Sequence, residues 1–191
     1  MAYHLDNVKV LVADDMQPML EVTSSVLETF GFKRIFTASN GEDAFKLFCD
    51  HNPELVITDW IMDPVDGLEL SKMIREHPDS PNKFVPIIIM TGFTAQTRVE
   101  LSRDSGITEF LVKPFTAKDL YRRVFQVIEK PRQFVEADEF FGPDRRRKVL
   151  SDYEGPRRRE IEGARDAPDA SGKAPNQSEL LKKLKEDAQN I

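Results

Sequence analysis

Five short runs rich in β-branched and large apolar residues, alternating with helix-period segments, constrain this chain more than any other feature. The runs are Val8–Ala13, Arg34–Thr37, Leu55–Thr58, Val85–Met90 and Glu109–Val112. Between and after them, Pro18–Phe30, Gly41–His51, Gly67–His77, Ala95–Ser105 and Thr116–Lys130 carry apolar residues at helical spacing. On the first of these helices the spacing puts Met19, Val22, Val26, Leu27 and Phe30 on one stripe. Repeated βα units with short connections demand a parallel sheet covered by helices on both faces, joined by right-handed crossovers. The fold class predicted is α/β, a five-stranded doubly wound parallel sheet of order 2-1-3-4-5, followed by a mostly irregular tail.

The alternation ends near Lys130. Beyond Pro131 the apolar period is lost, Gly-Pro pairs and arginine runs take over, and Ala167–Pro175 (APDASGKAP) reads as a flexible linker. A short amphipathic helix capped by Asn176 or Ser178, with Leu180, Leu181, Leu184 and Ala188 on one face, is expected to close the chain. This divides the sequence into residues 1–130, an arginine-rich extension 131–166, and a linker with terminal helix 167–191. The formal charge of −6 argues against a protein that coats nucleic acid as a whole. Its distribution is uneven: 14 basic against 20 acidic residues up to Lys130, and 13 of each after it.

One cysteine, Cys49, cannot close an internal disulfide, which suits a reducing compartment. No apolar run approaches the ~20 residues of a membrane span, and the first residues lack a basic-then-apolar leader. A cytoplasmic, soluble protein is the expectation. His4, His51 and His77 show no ligand spacing and are expected to be exposed.

The chemistry lies where the apolar runs stop. In open parallel α/β sheets, ligands bind beyond the carboxyl ends of the strands. The polar residues at those ends are Asp14 and Asp15, Asp59, Thr91, and Lys113 before Pro114. If the first and third strands are neighbours, three carboxylates share one small pocket. Their mutual repulsion raises their pKa values unless a cation sits among them. Hard oxygen ligands with room for water suit Mg²⁺. A carboxylate beside such an ion, faced by a lysine and a hydroxyl, has what a phosphoryl acceptor requires.

At these residues the chain resembles the receiver domain of bacterial response regulators, the CheY-like family, over about residues 6–130. The resemblance is carried by the acidic pair in VLVADDM, by ITDWIMDPVDG, by Thr91 in IIIMTGF and by Lys113 in EFLVKPF. It implies that Asp59 accepts a phosphoryl group from a histidine kinase or phosphotransfer protein. It implies that Asp15 and Asp59 bind Mg²⁺ directly, with Asp14 acting through water and Ile61 offering its backbone carbonyl. It further implies that Thr91 and Phe110 form a switch pair and that Lys113 pairs with the phosphoryl oxygens. Output would pass to a protein target through the face built by Thr91–Ser105 and Phe110–Lys130.

Several positions depart from the family pattern. The proline common at the position of Asp63 falls one place later, at Pro64. Ile61 has no polar side chain near the acceptor, Gly92 stands where alanine is common, and Phe110 lacks the tyrosine hydroxyl. Asp66 reads as a helix cap rather than a ligand. An enzymatic alternative, a phosphohydrolase of the haloacid dehalogenase type, needs a second Asp two residues after the nucleophile. That place is Ile61, so turnover of external phosphoesters is not expected.

Within the tail, FFGPDRRR (Phe140–Arg147) and YEGPRRR (Tyr153–Arg159) repeat an aromatic, Gly-Pro and an arginine triplet. Guanidinium forks beside aromatics suit phosphates and the O6/N7 edge of guanine. Arg145, Arg146, Arg147, Arg157, Arg158 and Arg159 therefore form a candidate nucleotide site. Cyclic di-GMP offers both recognition features, and arginine-rich tails on some motility-linked receiver proteins look similar. Two other readings stand beside it: a solvated segment balanced by its own acids, and an unspecific arm for RNA, DNA or an acidic protein. The 61 residues after Lys130 lack the apolar pattern of a three-helix DNA-binding domain, so DNA binding through such a domain is not expected.

Overall fold

The computed structural model describes residues 5–92, 106–137 and 140–143. Five parallel strands form one sheet: β1 Lys9–Ala13, β2 Arg34–Ala38, β3 Leu55–Asp59, β4 Ile87–Thr91 and β5 Glu109–Val112. Their spatial order is β2-β1-β3-β4-β5, so the chain adds β2 on one side of β1 and β3 on the other, which makes the β1/β3 boundary the switch point. Four described helices cover the sheet: α1 Gln17–Thr29, α2 Gly41–His51, α3 Gly67–Glu76 and α4 Ala117–Glu129. The helix predicted over Ala95–Ser105 lies outside the described residues. So do the six candidate arginines, the linker and the terminal helix.

The central strands β1, β3 and β4 are buried on both sides, as a sheet sandwiched between helices requires, while the edge strand β2 is partly exposed. Val10, Val12, Leu55, Ile57, Ile88, Met90 and Leu111 join Leu20 and Leu27 of α1 and Leu120, Val124 and Phe125 of α4 in one core cluster. The alternate residues, among them Leu11, Val56, Ile87 and Ile89, are also buried, as are Phe45 and Phe48 of α2 and Leu70 and Ile74 of α3. Each such large side chain contributes about 1.5–3 kcal/mol on leaving water. On α1 the buried residues are Leu20, Thr23 and Leu27. Val22, placed on the stripe by spacing alone, is instead 52% exposed.

Strand β4 begins two residues later than its apolar run suggests. Pro86 has no N–H for the ladder, although its carbonyl still accepts from Val56 N at 3.0 Å. His51 and His77 are half-buried rather than exposed. His51 stacks on Phe36 with ring centroids 4.0 Å apart, and His77 meets Phe45 edge-on at 5.1 Å.

Part of the tail is regular where irregular chain was expected. β6 Phe134–Ala137 and β7 Phe140–Pro143 pair antiparallel, and this hairpin belongs to the same compact unit, Met1–Asp144, as the sheet. Gly-Pro reads as a breaker, yet proline at the end of an edge strand costs no ladder bond. Among the described residues no helix is long and apolar enough to cross a membrane.

Candidate functional site: an acidic pocket closed by one lysine

Strand register brings the candidate residues together. β1 and β3 are neighbours, with Ala13 opposite Thr58, so Asp14, Asp15 and Asp59 emerge side by side at one edge of the sheet. Ligand-capable oxygens of all three lie within 4.8 Å of one another. Asp14 is fully buried, and one of its oxygens accepts from the backbone N–H of Met16 at 2.9 Å. That bond fixes its rotamer at the start of α1. Asp15 makes no cap there, since α1 has no side-chain cap bond, and its carboxylate is exposed.

Lys113 reaches into this group from the end of β5. Its Nζ lies 2.8 Å from Asp14 Oδ2 and 2.9 Å from Asp59 Oδ1. The lysine backbone N–H donates to the carbonyl of Thr91 at 2.7 Å, which ties the ends of β4 and β5 together. Thr91 is buried at the last position of β4, opposite Val112. Ile61 is half-buried in the loop after β3, and Phe110 is half-buried in β5. The Asp63–Pro64 and Lys113–Pro114 peptide bonds are both cis.

Electrostatics follow from this crowding. Burial pushes the Asp59 carboxyl above its ordinary range, more than Lys113 draws it back, and Asp14 adds to the rise. Asp15, though largely exposed, is raised by partial loss of water around it and then by Asp14. For Lys113 the largest single influence is burial, which opposes its charge; Asp59 and Asp14 together outweigh it and hold the ammonium above its usual pKa. One cation among three carboxylates leaves the site short of positive charge. A divalent ion coordinated by hard oxygens fits that deficit.

Two features behind the pocket escaped the sequence reading. Gly67 opens α3 directly beneath Asp59: its N–H donates to Trp60 O at 2.9 Å, and a Cβ at Gly67 would run into the Asp59 carbonyl oxygen. The only signal was Gly after Asp66, the helix cap. Asp66 does cap, accepting from Leu68 N and Glu69 N at 2.9 Å each, while Glu69 returns a bond to Asp66 N. The second feature is Glu109, a buried carboxylate at the other end of β5. It accepts from Gln126 Nε2 at 2.8 Å, with Arg132 at 3.3 Å and Arg123 at 3.5 Å.

The doubly wound sheet thus gathers an acidic cluster and a lysine at the carboxyl ends of its strands, next to its switch point. The chain matches the response regulator receiver domain over residues 10–125, more than half its length, and belongs to that family. It is similar to chemotaxis protein CheY-3 of Vibrio cholerae, 28% identical over 124 residues that cover 65% of this chain and 94% of that protein. Chemotaxis protein CheY1 of Helicobacter pylori is 32% identical over 121 residues, covering 63% and 96%. Among solved structures, CheY4 of Vibrio cholerae superposes with a TM-score of 0.58 at 28% identity, covering 63% of this chain and 98% of that one. The receiver domain of a Francisella response regulator gives 0.57 at 30%, covering 65% and 98%. Receiver domains bind Mg²⁺ at an acidic pocket, and the three carboxylates described above are the residues suited to that ion here.

Proposed function

We propose that this protein is a response regulator phosphorylated on Asp59 by a histidine kinase or phosphotransfer protein. The observation that carries the reading is the Lys113 ammonium held between Asp59 and Asp14, with Asp15 completing the cluster. Asp59 is partly exposed at the strand end, its side chain 14% accessible, so an incoming phosphoryl donor can reach it. In the transfer, an Asp59 carboxylate oxygen bonds to phosphorus while the phosphorus–nitrogen bond of the donor phosphohistidine breaks. The leaving imidazole nitrogen keeps the electron pair. Asp14, Asp15, Asp59 and the Ile61 carbonyl would hold Mg²⁺, which would supply positive charge against the transferring oxygens. Lys113 takes up the new phosphoryl charge, and Thr91 at the end of β4 donates to one of its oxygens. Self-hydrolysis then resets the acceptor.

Output is a shift between conformations that a protein target reads on the face built by Thr91–Ser105 and Phe110–Lys130, with Thr91 and Phe110 as the switch pair. The names of the similar CheY proteins favour chemotaxis or another motility system as the setting, in the cytoplasm. The arginine triplets Arg145–Arg147 and Arg157–Arg159 suit a guanine-containing dinucleotide such as cyclic di-GMP, which would make this a two-input protein. The repeat of Gly-Pro before each triplet favours this reading over unspecific anion binding.

The test of the acceptor is intact-mass measurement after incubation with Mg²⁺ and acetyl phosphate. One phosphoryl group should appear on the wild-type chain and none on Asp59→Asn. Equal labelling of both would remove the assignment.

A further inference from the structure

Strand β5 has a second anchored end. Its last residue precedes Lys113 in the acidic pocket. Its first, Glu109, pairs with Ile88 at the opposite edge of the sheet, about 13 Å from Lys113 at the usual rise per strand residue. Glu109 is only 5% exposed, and a carboxylate so buried needs charged or hydrogen-bonding partners. One of them, Arg132, comes from the segment that leads into the β6–β7 hairpin.

The hairpin makes a second hold close by. Phe134, the first residue of β6, lies with its ring centroid 5.1 Å from the guanidinium carbon of Arg75, and 5.2 Å edge-on from the ring of Phe84. Arg75 is 3% exposed. It donates from Nε and Nη2 to Gly106 O at 3.0 and 2.8 Å, and from Nη1 to Lys83 O at 2.7 Å. Burial lowers its pKa to about 9, and the aromatic face supplies a cation–π contact for a charge taken out of water. Gly106 sits at φ +65, and a Cβ there would meet Arg75 Cγ at 2.8 Å. The residue is thus the fixed point from which the chain enters β5. Arg132 grips the start of the strand, and Phe134 covers the arginine that grips the loop before it.

We propose that the β6–β7 hairpin is a latch on β5, and that its docking is coupled to occupancy of the Asp59 pocket at the strand's other end. The inference rests on the acceptor reading of Asp59. Lys113 now bridges Asp14 and Asp59. A phosphoryl group on Asp59 adds oxygens that compete for this ammonium, so Lys113 must re-seat and β5 with it. A hairpin tied to Glu109 by Arg132, and to Gly106 only through Arg75, feels that shift, whereas one held elsewhere would not. Coupling of this kind is reciprocal: whatever factor pocket ligation changes in docking, docking changes in ligation.

The test uses the full chain with Mg²⁺ and beryllium fluoride, a tetrahedral mimic of the phosphoryl group. Pocket ligation is followed by fluorescence of Trp60, and docking by hydrogen–deuterium exchange at Phe134–Ala137 and Phe140–Gly142. We expect ligation to change hairpin exchange by about threefold or more, with a shift of matching size in the beryllium fluoride midpoint of Arg132→Gln and of Phe134→Ala. A full Trp60 response with unchanged hairpin exchange would overturn the latch alone. Absence of any Trp60 response and of mass labelling would overturn the acceptor reading, and the latch with it. The wild-type exchange comparison needs no variant, so a variant that fails to fold leaves the proposal open to refutation.

Discussion

Lys113 Nζ stands 2.9 Å from Asp59 Oδ1, at the end of a strand separated from β3 by β4. The pair spans the carboxyl edge of the sheet and is neither free in solvent nor sealed: the side chains are 21% and 14% exposed. An ion pair so placed is stronger than a surface one, yet open to a ligand that replaces it.

Removing the lysine should separate two functions of the pocket. Lys113→Met withdraws a cation that competes with a divalent ion for the same oxygens. Mg²⁺ affinity, read by Trp60 fluorescence, should rise by roughly tenfold. Phosphotransfer should slow by about 10²–10³, the usual loss when one charge-stabilising donor is removed. Weaker Mg²⁺ binding in this variant would contradict the bridge.

The raised pKa of Asp59 has a consequence for stability. A carboxyl whose folded pKa exceeds its unfolded one favours the folded state less as pH rises through that interval. Its cost is absent well below the ordinary aspartate value of 3.8 and fully present once pH exceeds the raised folded value. Asp59→Asn should therefore melt at a higher temperature than the wild type at pH 7 without Mg²⁺. The gain should shrink as pH falls toward 3.8. A gain that grows on acidification would reverse the sign of the argument.

Gly67 should tolerate no side chain. Gly67→Ala forces a Cβ against the Asp59 carbonyl, and overpacking of that kind costs about 1–3 kcal/mol. A lower midpoint in urea is expected, together with weaker Mg²⁺ binding because the acceptor's backbone must move. Unchanged values for both would mean that α3 is not the seat of the acceptor loop.

Much of this architecture was legible in the sequence, and the exceptions have physical causes. Apolar runs mark buried strands, so β1, β3, β4 and β5 could be placed within a residue or two, and their polar ends located Asp14, Asp15, Asp59, Thr91 and Lys113. The hairpin was not visible because its two short strands carry a charged residue and a Gly-Pro pair and flank no helix-period segment that would mark them as strands. Val22 was misplaced because spacing alone does not say which of two adjacent stripes faces the sheet. Gly67, Glu109 and Arg75 matter through partners distant in sequence or through backbone contact, and no local pattern records either.

The tail makes a separable prediction. Calorimetric titration of cyclic di-GMP into the full chain should show saturable binding that is lost when Arg145, Arg146 and Arg147, or Arg157, Arg158 and Arg159, are changed to alanine. GTP and a short oligonucleotide should not reproduce it. Equal, salt-sensitive uptake of all three ligands would reduce the triplets to an unspecific anion-binding arm.

The central claim is that Asp59, and no other carboxylate of the pocket, receives the phosphoryl group. Reduction of the phosphorylated full chain with borohydride converts an aspartyl phosphate to homoserine, which peptide mass mapping can place. Homoserine at position 59, with Asp14 and Asp15 intact, is the result expected. Homoserine at position 14 or 15, or labelling confined to a residue outside the pocket, would contradict the account.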